Sequence, residues 1–173
     1  MYIYHLPGVS MSNALQIPLI AGYNTQGEAI VEQVSAIVVD AKLKEFRVQS
    51  SPAFVRGLAA DDRICYPTDD KAAWKLLEHS GNLCIRVFSK HNTDELDQML
   101  TPEIEMIDGK LDLCSPRILV YTIHVSIGFQ KIEDTLNKVL GNFPDTVWYY
   151  GNVYDPEDGV TPLNWWLEIA ATV

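Results

Sequence analysis

His79 and Ser80 stand side by side a short step ahead of Cys84. A histidine next to a hydroxyl or thiol is the smallest arrangement that could support nucleophilic catalysis. Neighbouring residues of a strand point to opposite faces, so His79 could activate Ser80 only if a turn intervened. The Ser80-Gly81-Asn82 run instead reads as a polar turn between two lobes. His5, His91 and His124 fall in a tail, a loop and a strand without HxH or HxxxH spacing. Cys65, Cys84 and Cys114 are an odd number without a CxxC pair. Neither a metal site nor a disulfide framework is expected from them. All three read as small core hydrophobes, which suits a reducing compartment. Asp61-Asp62 and Asp69-Asp70 are paired carboxylates, but both sit where turns favour aspartate for backbone reasons. Arg86 lies in an apolar strand, where a structural ion pair across the sheet is the first reading and an anion site the second. No P-loop, GxGxxG or GxSxG motif is present, and no cofactor is expected.

The remaining candidate is aromatic and acidic. Trp148, Tyr149, Tyr150, Tyr154, Trp165 and Trp166 cluster near the C-terminus, and residues 151–173 contain no lysine or arginine. Alternation places about half of such residues in the core. Trp165 and Trp166 cannot both face inward from one regular strand, so at least one is left for a covering element or a partner. Tyr150, Tyr154, Asp155, Glu157, Asp158, Trp165 and Trp166 are therefore the expected partner-binding residues.

Charge narrows the partner. The chain has 173 residues and a formal net charge of −10. With no basic cluster, it would repel a polyanion, so nucleic-acid binding is disfavoured. The longest apolar-rich segment, residues 118–123, is far too short to span a membrane, and no signal peptide is read at the N-terminus. A soluble cytoplasmic protein is expected; its oligomeric state is not legible.

The elements that must position these residues divide at residues 79–81. Residues 1–14 read as an N-terminal extension and 15–79 as a small β-rich lobe. Strands are expected at 15–21, confined to an edge by Pro18, and at 29–39, 46–48 and 63–66, with Ala72, Trp74 and Leu76 alternating beyond a turn at 67–70. Their close spacing suggests a curled sheet or barrel. Residues 80–173 read as strand (83–88), helix, strand (104–113), strand (118–125), helix (129–140) and strand (146–150), with an extra C-terminal strand at 165–169. The first helix starts with a capping-box-like Asn92 and Glu95 and should stop near Thr101-Pro102. The fold class expected is α+β: a small N-terminal β-barrel-like lobe followed by a ferredoxin-like βαββαβ lobe.

Several short motifs line up with one family. Glu32 precedes the strand Gln33-Val34-Ser35-Ala36; a Pro-Phe corner follows at Ser50-Ser51-Pro52-Ala53-Phe54, then Gly57, Asp61 or Asp62, and finally Ser80-Gly81-Asn82-Leu83-Cys84-Ile85-Arg86-Val87. In this the chain resembles a family of short bacterial proteins catalogued as a domain of unknown function, over roughly residues 28–150. It departs from the family pattern at Ser35, where tryptophan is common, and at Ala53, which replaces an aromatic. The resemblance supports the fold reading and implies no catalytic residues.

The expectation for function is a non-enzymatic binding module, an immunity protein that neutralises a basic toxin domain through the acidic-aromatic surface. The rival is a sensing or regulatory module that holds a small molecule between the lobes. A hydrolase using His79 and nearby carboxylates is a third reading, and it requires a pocket at His79.

Overall fold

The computed structural model describes residues 14–66 and 73–170. His5, the Asp69-Asp70 pair and its turn, Ala72 and most of the expected N-terminal extension lie outside the described residues.

The first five strands are β1 (Ala14–Tyr23), β2 (Ala29–Asp40), β3 (Glu45–Val48), β4 (Arg63–Cys65) and β5 (Lys75–Glu78). They form one antiparallel meander in chain order. The β-branched run of β2 turns Val34 and Ala36 inward, opposite Ile17 and Leu15 of β1. Pro18 lies in β1, an edge strand, where its missing N–H breaks no central ladder.

The sheet is curled but not closed, which corrects the barrel expectation: among the described residues β1 pairs only with β2, and β5 only with β4. Spacing and turn chemistry predict short strands; closure depends on a pairing between the first and last strands that no local signal encodes. Tyr66 spans part of the open side, donating its hydroxyl to the Pro18 carbonyl at 3.0 Å. Burial pushes that phenol up to about 12.

The second sheet is built from β6 (Asn82–Ser89), β7 (Lys110–Cys114), β8 (Ile118–His124) and β9 (Thr146–Tyr150), in the order β7-β8-β6-β9. With α1 (Asp94–Glu105) and α2 (Phe129–Leu140) the lobe has the ferredoxin-like βαββαβ topology. Strand alternation gives the sheet two working faces. Leu83, Ile85 and Val87 of β6 and Leu119, Tyr121 and Ile123 of β8 meet the helices in one core. Cys84, Arg86 and Phe88 of β6 and Ile118, Val120 and Thr122 of β8 share the other face.

Two elements differ from expectation. The first helix runs through Pro102 to Glu105, because Leu96, Leu100 and Ile104 form one buried stripe at four-residue spacing. Burying Ile104 and Ile107 contributes about 3–6 kcal/mol, which offsets a cost of about 3 kcal/mol for an interior proline. The expected strand at 104–113 is correspondingly short, starting at Lys110 after the helix ends with Asp108 at φ 60° and a Gly109 N–H bond to the Ile104 carbonyl. The extra C-terminal strand is instead a helix, α3 (Trp165–Ala170). A short aromatic and aliphatic run does not distinguish the two by periodicity.

Candidate functional site

The segment between β3 and β4, residues 51–62, is where the lobes meet. It lies against the sheet face that carries no helix, with Ala53 and Ala59 buried beside Cys84, Leu113, Ile118 and Val120. Its Pro-Phe corner has no strand partner, so its backbone groups need other ones. Glu32 of β2 takes the N–H groups: one carboxylate oxygen accepts from Ala53 (2.7 Å), the other from Phe54 (2.9 Å) and Val55 (2.8 Å). Arg86 of β6 takes the carbonyls, donating to Pro52 at 3.1 Å, to Phe54 at 3.4 Å and to Val55. A carboxylate from one lobe and a guanidinium from the other thus grip one stretch of backbone. Arg86 was expected to pair with a carboxylate; its hydrogen bonds among the described residues go to these carbonyls instead.

A second attachment is directional. The Asp112 Oδ2 accepts from the Ser51 N–H (2.8 Å) and the Thr122 hydroxyl (2.5 Å), so the Ser51 hydroxyl must be the donor in its 2.6 Å contact with Thr122. The other Asp112 oxygen is buried without a hydrogen-bond partner, with the Lys110 ammonium at 3.5 Å. Burial, the larger effect, holds the Asp112 carboxyl above its ordinary 3.8 despite the bonds from Thr122 and Ser51. Because the unfolded chain then releases this proton first as pH rises, Asp112 costs nothing below pH 3.8, lowers stability progressively up to its folded value, and keeps the full cost above it. Asp112→Asn should therefore gain stability relative to the wild type on going from pH 3.5 to pH 7, as urea unfolding at the two pH values would measure; a constant difference would contradict it.

Gly57 turns the corner back toward the C-terminal lobe. Its φ of 80° is open to glycine, and a Cβ there would lie 3.2 Å from the Pro156 ring. Its N–H donates to the Gly151 carbonyl at 2.8 Å. Beyond it, an open cleft of about 770 Å³ lies between the lobes. Its walls come from Ile20–Tyr23 of β1, Ile30 of β2, Trp74, Leu76 of β5, the corner residues Arg56 and Gly57, His79, and Pro156 and Leu163 of the C-terminal loop. Both edges of the curled sheet line it, so the cleft occupies the side that a closed barrel would have sealed.

His79 sits on this cleft with its side chain 20% exposed. Its ring stacks on Trp165 at 4.6 Å, and Nδ1 lies 3.7 Å from Asp62, too far for a hydrogen bond. Asp62 is fully buried and committed elsewhere: it accepts from the Ala59 and Ser80 N–H groups and from the Ser80 hydroxyl. Ser80 also contacts the Ala60 carbonyl. The hydroxyl is a structural tie, not a nucleophile aligned on His79. Cys84 is buried, donates to the Pro52 carbonyl, and has its thiol pushed up by desolvation. A thiol held neutral in this way is a poor nucleophile.

The aromatic candidates are largely spoken for inside the protein. Trp165 is 7% exposed and donates its indole N–H to the Asn152 carbonyl. Trp166 is half-buried, edge-on to Phe129 and Trp165. Tyr150 is half-buried, edge-on to Phe129 and Trp148, with its hydroxyl on Glu133. Trp165 and Trp166 both turn to the protein because they belong to a helix, where adjacent residues diverge by about 100° rather than 180°. Tyr154, at 39% exposure, Glu157 and Asp158 remain on the surface, and Asp155 is half-buried. Asp155 and Asp158 accept backbone N–H bonds from Glu157, Val160 and Thr161 and so shape their own loop. His91 bonds Asp145 and His124 bonds Ser126, both on the surface. No group of three or more His, Cys, Asp or Glu among the described residues is arranged as a metal site, and no described helix is long and apolar enough to cross a membrane.

The fold and its junction define a two-lobed α+β protein: a curled meander joined to a ferredoxin-like lobe by a clamped corner and an open cleft. The chain belongs to the family described as "Domain of unknown function (DUF4265)", whose profile matches residues 32–142. The match opens on Glu32 and contains the corner, Asp62, Arg86 and Asp112. A solved structure described as a "Novel crystal structure of a hypothetical protein from Neisseria gonorrhoeae" is similar in fold, with a TM-score of 0.60 at 18% identity, covering 83% of this chain and 96% of that one. A comparison with curated proteins returned no match.

Proposed function

We propose that this protein is a binding module of the sensing or regulatory kind, with its ligand held in the cleft between the lobes. The cleft carries the reading: about 770 Å³ falls within the range of small-molecule sites, and its walls are mainly apolar with a few polar groups among them. A ligand that touched β1, β5, the corner and the C-terminal loop together would tie the lobes and stabilise the folded state by mass action. Among a metabolite library, a binder should raise the melting midpoint of the wild type and fail to do so for Leu163→Trp, which fills the cleft from its rim. Hits that act equally on both proteins, or an empty screen, would remove the reading.

A second reading keeps the protein partner. The loop from Asp155 to Thr161 presents Glu157, Asp158 and Val160 to solvent beside Tyr154. An immunity protein for a basic toxin domain would use this acidic surface, with association that weakens steeply as salt is added. Leu163→Trp separates the two readings: it blocks the cleft and leaves Glu157 and Asp158 in place.

A further inference from the structure

The cleft is lined mainly by apolar residues, with an exposed arginine among them. Ile20, Ile30, Trp74, Leu76 and Leu163 supply the apolar walls. Arg56 and His79 are the lining residues able to carry positive charge, and no aspartate or glutamate lines the cleft among the described residues. That contrast is marked in a chain with 23 acidic and 13 basic residues. Arg56 is exposed, one guanidinium nitrogen donating to the Pro156 carbonyl at 3.3 Å. A guanidinium has five N–H donors in a planar fork, so this one contact leaves most of them for a second partner. His79 has its Nδ1 turned toward Asp62, which leaves Nε2 as the ring nitrogen on the other side, and Trp165 holds the ring in place by stacking.

We infer that the cleft takes an amphipathic carboxylic acid, its aliphatic or aromatic body against the apolar walls and its carboxylate on Arg56, beside His79. The inference rests on the cleft being the ligand site. It adds the sign of the charge and the residue that receives it. Carboxylate–guanidinium pairing gives orientation through paired hydrogen bonds, while the apolar body supplies most of the binding energy. A cationic ligand would meet Arg56 with the wrong sign, and a purely apolar ligand would leave the guanidinium unused.

The test compares two acids, octanoate and indole-3-acetate, with their uncharged amides, octanamide and indole-3-acetamide, by calorimetry. At least one acid should bind about tenfold or more tightly than its amide, and Arg56→Gln should erase that difference. Arg56 is exposed, so the variant should unfold at the wild-type midpoint and any loss is one of binding. If an acid and its amide bind alike and Arg56→Gln changes neither, the carboxylate assignment is overturned while the cleft stands. If the amides bind and the acids do not, the sign of the charge is wrong. If none of the four binds to the wild type, the assignment to this ligand class fails. The Leu163→Trp screen then decides the cleft separately.

Discussion

Replacing Arg86 with alanine should destabilise the protein by about 3–5 kcal/mol, because three backbone carbonyls of the corner lose their donor while remaining largely cut off from water. Arg86 is 3% exposed and sits on the sheet face covered by residues 51–62. The cavity left by the guanidinium adds to the penalty. Arg86→Lys should recover only part of the loss: a single ammonium cannot reach three carbonyls that a planar fork serves together. Urea unfolding followed by tryptophan fluorescence and circular dichroism measures both variants. Glu32 holds the opposite edge of the same backbone through Ala53, Phe54 and Val55. The double variant with Glu32→Gln should therefore cost less than the two single losses added together, since the corner once released has little left to lose. A cost under about 1 kcal/mol for Arg86→Ala would mean that the corner is held by packing alone.

Asp62→Ala is expected to rank next, at about 3 kcal/mol. The carboxylate is fully buried and accepts from the Ala59 N–H at 2.9 Å, the Ser80 N–H at 2.8 Å and the Ser80 hydroxyl at 3.0 Å. Its removal leaves the buried Ala59 N–H and the part-buried Ser80 N–H without acceptors. Asp62→Asn keeps the shape and distinguishes acceptor loss from cavity formation. One carboxylate oxygen serves Ser80 twice and the other serves Ala59, so the amide nitrogen does least harm facing Ala59 and His79. That arrangement gives up one bond, an effect of about 1–2 kcal/mol. Equal losses for the alanine and asparagine variants would show that the negative charge, rather than acceptor number, is what the site requires. The same pair of variants reports on the cleft, since Asp62 lies behind His79.

Much of the fold was legible because it depends on local pattern. The β-branched run of β2, the helical spacing of Phe129, Ile132, Leu136, Val139 and Leu140, and the alternation in β6 and β8 all assigned their own elements. Pro18 correctly marked an edge. The errors came where packing overrode local preference. Pro102 reads as a stop, yet the stripe ending at Ile104 carries the helix past it. The run at Trp165 reads as a strand, yet its helix lets one tryptophan cover His79 and the other reach Phe129.

The candidate site was only partly visible. The corner at residues 51–62 stood out, but only as one motif of a family pattern. Asp62 and Ser80 were recognised as turn residues, and their mutual hydrogen bonds make that structural reading concrete. Glu32 and Arg86 appeared only as members of a family pattern and of an apolar strand. Nothing local couples two residues 54 positions apart (86 less 32) to the same backbone. A ligand between the lobes was one expectation, but apart from His79 none of the wall residues stood out, since they are drawn from positions 20 to 163 and most are ordinary apolar residues in their own segments.

By itself, then, the amino-acid sequence determined the α+β class, most strand and helix positions, the acidic balance and the presence of an unusual Pro-Phe corner. These follow from periodicity, backbone restriction and charge, which are properties of neighbouring residues. Only the tertiary structure decided that the N-terminal sheet stays open, that a carboxylate and a guanidinium from different lobes clamp the corner, and that Arg56 and His79 line one cleft. Those depend on which distant surfaces meet, and the burial and hydrogen-bond terms that select that meeting exist only once the chain has folded.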